Sequence, residues 1–177
     1  MFLTSLLGSD RIGLVRLILM VLRRNGVYYP VPSSFLKALM THSMTLQHQI
    51  EIRVRYNETD GQGRVHHAQY LNFFERGRVE LLRSMGHNYR HLEASGLMLV
   101  VTEMNVRYLG AAVFDDLLVL ETKVVKTKGV RIEHSYRIVR QPETDDSPPS
   151  EIVQATSVIA CIDREGKVRR LPDYLRV

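Results

Sequence analysis

The stretch Tyr56-Asn57-Glu58-Thr59-Asp60-Gly61-Gln62-Gly63-Arg64-Val65-His66-His67-Ala68-Gln69-Tyr70 sets itself apart in this chain. A carboxylate, a glycine-bearing loop and two adjacent histidines stand directly before an apolar helical pattern. The first turn of a helix offers unpaired backbone N–H groups and the positive end of a dipole. Such a turn can hold a developing oxyanion. Hydrolysis of an activated acyl group needs that, together with a carboxylate that attacks the carbonyl or activates water. Asp60 is the candidate for that carboxylate. It also suits a simpler role, as a turn residue that hydrogen-bonds its own backbone, and the residues alone leave both readings open. A metal site is not expected, because adjacent histidines point apart and no third ligand is evident.

The elements that must position these groups follow from periodicity. Ile50, Ile52, Val54 and Tyr56 alternate with charged residues, the pattern of a half-buried strand. Asn57 to Gly63 reads as a loop. From about His67 to Met85 the spacing predicts a helix of roughly 28 Å. Tyr70, Phe74, Leu81 and Met85 share one face of it, widened by Leu71, Phe73 and Leu82, and Gly86 supplies a stop. Four strand-like runs follow, about Leu97–Tyr108, Leu117–Lys126, Val130–Arg140 and Ile152–Asp163. Lys128–Gly129 marks a tight hairpin between the second and third. Gln141–Ser150, with three prolines, reads as an exposed loop. Strand, long helix, then four strands shows no βαβ alternation. An α+β domain with an antiparallel sheet packed on one helix is expected.

Composition narrows the function classes. With 177 residues, 45% hydrophobic and 24% charged, the chain has room for one domain with a full core. The net charge of +5 raises nucleic acid as a partner, but its distribution argues against one. Residues 1–46 hold five cations (Arg11, Arg16, Arg23, Arg24, Lys37) and one acid (Asp10), and the remaining 19 cations and 18 acids nearly balance. One cysteine, Cys161, forms no intramolecular disulfide, sits in an apolar run as a buried thiol, and fits a cytoplasmic protein. Residues 1–46 read as an N-terminal extension to a domain at 47–177. Leu14–Leu22, interrupted by Arg16, is too short to span a bilayer and lacks a cleavage site. It reads as an amphipathic surface helix with a membrane contact through residues 14–24, as a transit-like segment, or as sequence upstream of a start at Met40 or Met44. Pro30, Pro32, Ser33 and Ser34 mark a linker.

The segment from Val54 to Gly86 resembles the signature of the 4-hydroxybenzoyl-CoA thioesterase family of hotdog proteins, and within it the Tol–Pal-associated acyl-CoA thioesterases. Tyr56, Thr59, Asp60, Gly63, Val65, His67, Tyr70, Phe73, Phe74, Glu75, Arg78 and Glu80 carry the likeness, and Tyr108, Ala111, Phe114-Asp115-Asp116 and Leu171-Pro172 extend it. The resemblance implies a five-stranded antiparallel sheet wrapped around one helix. It also implies hydrolysis of acyl-CoA to acid and CoA, and a homodimer or homotetramer with sites between protomers. No metal and no cofactor is implied beyond the CoA of the substrate. Asp60 takes the role of nucleophile or general base, and His67 polarises the carbonyl through its N–H. Gly63, Val65, His66, Gln69 and Tyr70 flank the acyl group. His66 and Gln69 depart from the family's usual tyrosine and asparagine. Lys126, Lys128 and Arg131 fall where the family has a phosphate-contacting loop, with Arg169 and Arg170 a second candidate. Glu75, where a sister branch keeps its carboxylate, is expected to be structural or to line the site. Other readings are a non-hydrolytic module for acyl-CoA or acyl carrier protein, a dehydratase, and a membrane-surface protein.

Overall fold

The computed structural model describes residues 23–24, 27–28, 46–142 and 148–176. The chain divides into two units, residues 1–44 and 45–177. In the first, Arg23–Arg24 pairs antiparallel with Val27–Tyr28, so a helix over residues 14–24 does not extend across its two arginines. The remaining expectations for the N-terminal segment fall on Leu14–Leu22, Pro30, Pro32 and the serine pair, outside the described residues. Among those described, no helix is long and apolar enough to cross a membrane.

The second unit holds β1 (Gln47–Arg53), α1 (Gln69–Ser84), α2 (Tyr89–Ala94), β2 (Leu97–Tyr108), β3 (Leu117–Lys128), β4 (Arg131–Arg140) and β5 (Ser150–Asp163). The strands form one antiparallel sheet in the order β1-β3-β4-β5-β2. α1 packs on it through Phe73 and Phe74, against Ile52, Leu118, Leu120, Ile138 and Val153. Burying each such side chain contributes about 1.5–3 kcal/mol. This is the hotdog architecture the resemblance implies. A second cluster of Leu82, Ile132, Ile159, Cys161, Leu171 and Leu175 closes the other end. Cys161 is buried, and burial pushes its thiol up.

Two glycines matter to the packing. Gly77 faces β3, where a Cβ would lie 2.3 Å from Thr122 Oγ1 and 2.8 Å from Leu120 Cδ2. Its missing side chain lets α1 lie close on the sheet. Gly129 opens the two-residue β3–β4 turn at φ 63°, a conformation suited to glycine at the first central position. The turn is Gly129–Val130, one residue later than expected.

Three expectations are corrected, and one element is added. The strand stops at Arg53, and Tyr56–Glu58 forms a 3-10 turn in which the Glu58 carboxylate accepts the Arg55 N–H at 2.8 Å. Tyr56 is therefore 79% exposed rather than on the buried face of Ile52 and Val54. Leu71, expected on the apolar face of α1, is exposed, whereas the charged Arg78 is buried. The helix begins at Gln69 rather than His67, although Ala68 already has helical φ and ψ. The short helix α2 escaped notice, though Asn88 caps it by accepting the His91 N–H at 2.9 Å, a recognisable start signal.

Candidate active site

The candidate loop is a small ribbon folded on itself. Thr59 bridges Val65, and the Asp60 N–H donates to the Arg64 carbonyl at 2.8 Å. The Gly63 N–H closes the tip on the Asp60 carbonyl at 2.9 Å, with Gly63 at φ 74°. The Asp60 Oδ1 accepts the Gln62 N–H at 2.8 Å and the Arg64 N–H at 3.5 Å. Its other oxygen, Oδ2, accepts nothing from the described residues. Both roles weighed for Asp60 thus fit one side chain: one oxygen fixes the turn and the other is free. Val65 is buried and donates its N–H to the Ala112 carbonyl at 2.9 Å, which seats the ribbon on the loop before β3. In that loop, the Asp116 carboxylate accepts the Val113 N–H at 2.8 Å and Asp115 takes φ 71°. The acid pair forms a turn, as its sequence suggests.

Beyond the ribbon the backbone is pinned on both sides of one peptide. The His66 N–H donates to the Glu58 carbonyl at 2.9 Å, and the His66 carbonyl accepts the Gln69 N–H at 2.9 Å. The Ala68 N–H donates to His66 Nδ1 at 3.3 Å. The Tyr108 hydroxyl donates to the His67 carbonyl at 3.1 Å. Between these contacts, the His67 N–H meets no acceptor among the described residues. A fixed backbone donor with no internal partner is what a developing oxyanion requires.

Aromatic rings form the wall. Tyr108 meets His67 edge-on at 6.4 Å and Tyr70 at 5.7 Å, and Tyr70 meets Phe73 at 5.8 Å. Burial pushes the Tyr70 hydroxyl up to about 12, against a hydrogen bond with the Ala112 backbone that lowers it. Tyr70 is a neutral lining residue and not a base. His66 and His67 do not point apart: their rings lie 4.2 Å between centroids at 36°, because the Ala68 N–H draws the His66 ring back over the turn. Even so, among the described residues no three His, Cys, Asp or Glu side chains are grouped to hold a metal ion. Gln69 accepts from Asn72 Nδ2 at 2.9 Å, and Gly63, His66 and His67 are exposed. Glu75 is exposed on α1. Sequence reasoning gave Tyr108 no part in the site, because its partner His67 is 41 residues away.

Lys126, Lys128 and Arg131 are exposed at the β3–β4 turn. There the Leu171 N–H donates to the Gly129 carbonyl at 3.1 Å and the Cys161 N–H to Val130 at 2.9 Å. Arg169 and Arg170 therefore lie beside the hairpin, and the two candidate phosphate patches are one basic end. Arg169 is engaged with Asp163, its Nε donating to Oδ2 at 2.7 Å. This end is not brought to Asp60 within one protomer. The ribbon sits at the Leu117 end of β3, and at about 3.3 Å per residue Lys126 lies roughly 30 Å away. Two hollows of about 520 and 410 Å³ run along β2, β3, β4 and β5, and neither touches the Asp60 ribbon. In a single protomer the site is open.

The model of the thioesterase superfamily matches residues 62–146. The acyl-CoA thioesterase YbgC of Haemophilus influenzae is 39% identical over 119 residues, which are 67% of this chain and 82% of that protein. A probable thioesterase from Bartonella henselae is 39% identical with a TM-score of 0.65, covering 71% of this chain and 99% of the other. A 4-hydroxybenzoyl-CoA thioesterase in complex with 4-hydroxybenzoyl-CoA has a TM-score of 0.67 at 14% identity, over 73% and 96% of the two chains. That last likeness is one of fold.

Proposed function

The chain belongs to the thioesterase superfamily, and from that premise we propose that it hydrolyses acyl-CoA thioesters to the free acid and CoA through Asp60 and the turn at His67. The observation that carries this reading is the pairing of one free Asp60 oxygen with one free His67 N–H. The ladder of Glu58–His66, Thr59–Val65 and Asp60–Arg64 contacts holds them on one small ribbon. A thioester carbonyl placed there receives the His67 N–H on its oxygen. Asp60 Oδ2 either attacks the carbonyl carbon or takes a proton from a water that does. In the first case the C–S bond breaks, CoA leaves as thiolate and is protonated, and water then cleaves the anhydride. In the second, hydroxide adds, the C–S bond breaks, and the proton passes to the thiolate. The exposed His67 imidazole is placed to carry that proton. Gly63, Val65, His66, Gln69 and Tyr70 border the acyl group.

Lys126, Lys128 and Arg131 take the CoA phosphates as charge-assisted contacts, and they do so from a second copy. The roughly 30 Å separation within one protomer supports this, as does the outer edge of β2, which has no strand partner in the sheet. Val101 is 49% exposed on that strand. A strand edge of this kind is a template for pairing with another chain, so the working unit is a homodimer, alone or within a homotetramer. The domain at 47–177 contains every residue assigned. Turnover of short, long and aromatic acyl-CoAs, with the same acyl groups on acyl carrier protein, tests the activity. Binding without release of free thiol would instead support the non-hydrolytic module.

A further inference from the structure

Arg78 lies on the buried face of α1 and is 9% exposed. A buried charge is costly unless it is paired, yet its partners are neutral. Nη1 donates to the Tyr136 hydroxyl at 3.0 Å, and that hydroxyl lies 2.7 Å from Ser157 Oγ. Tyr89 lines the same cavity as Arg78, and burial pushes its hydroxyl above the usual phenol value. Among the described residues no carboxylate is within 4.0 Å of Arg78. Its counter-charge is missing.

A second group beside it is also incomplete. His134 is 6% exposed, its ring stacks toward Tyr136 at 6.1 Å, and its Nδ1 has no hydrogen-bond partner. Burial first, and the Arg78 charge second, hold its imidazole down to about 3, so it is neutral. Arg78, Tyr89 and His134 line one partly open cavity of about 30 Å³, together with Leu81, Leu99 and Ile132 among others. One water needs about 10–15 Å³ of such space, so the cavity has room for an ion of one atom.

We propose that this cavity binds a small monovalent anion of halide size, held by the Arg78 guanidinium, the Tyr89 hydroxyl and His134 Nδ1–H. The anion would neutralise the buried guanidinium and satisfy the orphaned nitrogen together. Arg78 lies nine residues from the start of α1, about 14 Å along the helix, so this is a stabilising site apart from the catalytic turn. The test is thermal melting of the full chain in sodium chloride, sodium bromide and sodium gluconate at fixed ionic strength. A saturable rise in Tm, about 5 °C at high halide, is expected in the two halides alone and is lost in Arg78→Met. Crystals grown in bromide should show an anomalous peak between Arg78 and His134, which decides the matter even if Arg78→Met does not fold. Equal Tm in chloride and gluconate, a halide effect retained in Arg78→Met, or a bromide map without that peak would overturn the proposal.

Discussion

The two ends of the sheet handle polar groups in opposite ways. At the Asp60 end the polar atoms lie on an exposed loop held by backbone hydrogen bonds, where one Asp60 carboxylate oxygen and the His67 N–H meet no partner among the described residues. At the far end the surface is a cluster of exposed cations, of which Arg169 is paired with Asp163, while the core beneath hides a guanidinium without a carboxylate partner and an imidazole nitrogen without a hydrogen bond among the described residues. Partnerless groups at an open, rigid turn are available to a substrate. Partnerless groups in a closed core are available only to something small, or else they lower stability.

The largest expected effect would break the first half of this contrast. Asp60→Asn keeps the Oδ1 contacts but removes the charge, so kcat should fall by about 10²–10⁴-fold with an unchanged melting curve. Wild-type kcat in that folded variant would end the assignment of Asp60. Replacing Lys126 and Lys128 with alanine should raise KM for acyl-CoA on the order of 10-fold, leave kcat alone and flatten its salt dependence. Mixed with Asp60→Asn and allowed to exchange subunits, this variant should regain a low-KM phase that neither parent has. No such phase would mean that the two ends do not serve one site across protomers.

Smaller effects sharpen the comparison. Tyr108→Phe removes only the hydroxyl that holds the His67 carbonyl; a net hydrogen bond of about 1 kcal/mol predicts a kcat several-fold lower with KM little changed. Steady-state kinetics at saturating substrate would show it. His134, with a folded value of about 3 against 6.5 unfolded, binds its proton more weakly in the native state. Its contribution is present above pH 6.5 and is lost as pH falls toward 3, with a slope approaching 1.4 kcal/mol per pH unit. Urea unfolding between pH 6.5 and 5 should show that slope, and His134→Phe should flatten it. Last, a protein starting at Met44 should melt and turn over substrate like the full chain. A Tm lower by many degrees would show that residues 1–43 pack on the domain.

The candidate ribbon was legible as a unit because its residues are local: Asp60, Gly63 and His67 lie within eight residues of one another. The helix and five strands were legible from periodicity. What failed did so for physical reasons. Tyr56 fitted the alternation, but the buried Glu58 carboxylate turned the backbone before the pattern ran out. Arg78 reads as a surface residue in any hydropathy scheme, and its burial depends on two tyrosines and a serine from distant elements. The basic hairpin was rightly seen as basic, but its distance from Asp60 depends on the strand order β1-β3-β4-β5-β2.

That strand order also dictates when β2 becomes safe. β3 and β4 join through a two-residue turn and close at once, whereas β2 bonds only to β5, which begins about 40 residues after β2 ends. Pairing across so long a separation is slow to form. At roughly 5–20 residues per second on the ribosome, Leu97–Val101 emerges with its partner strand still several seconds from synthesis. The strand that completes the sheet is therefore the last to be sheltered during birth of the chain, and until then it is open to capture by chaperones or by a neighbouring nascent copy.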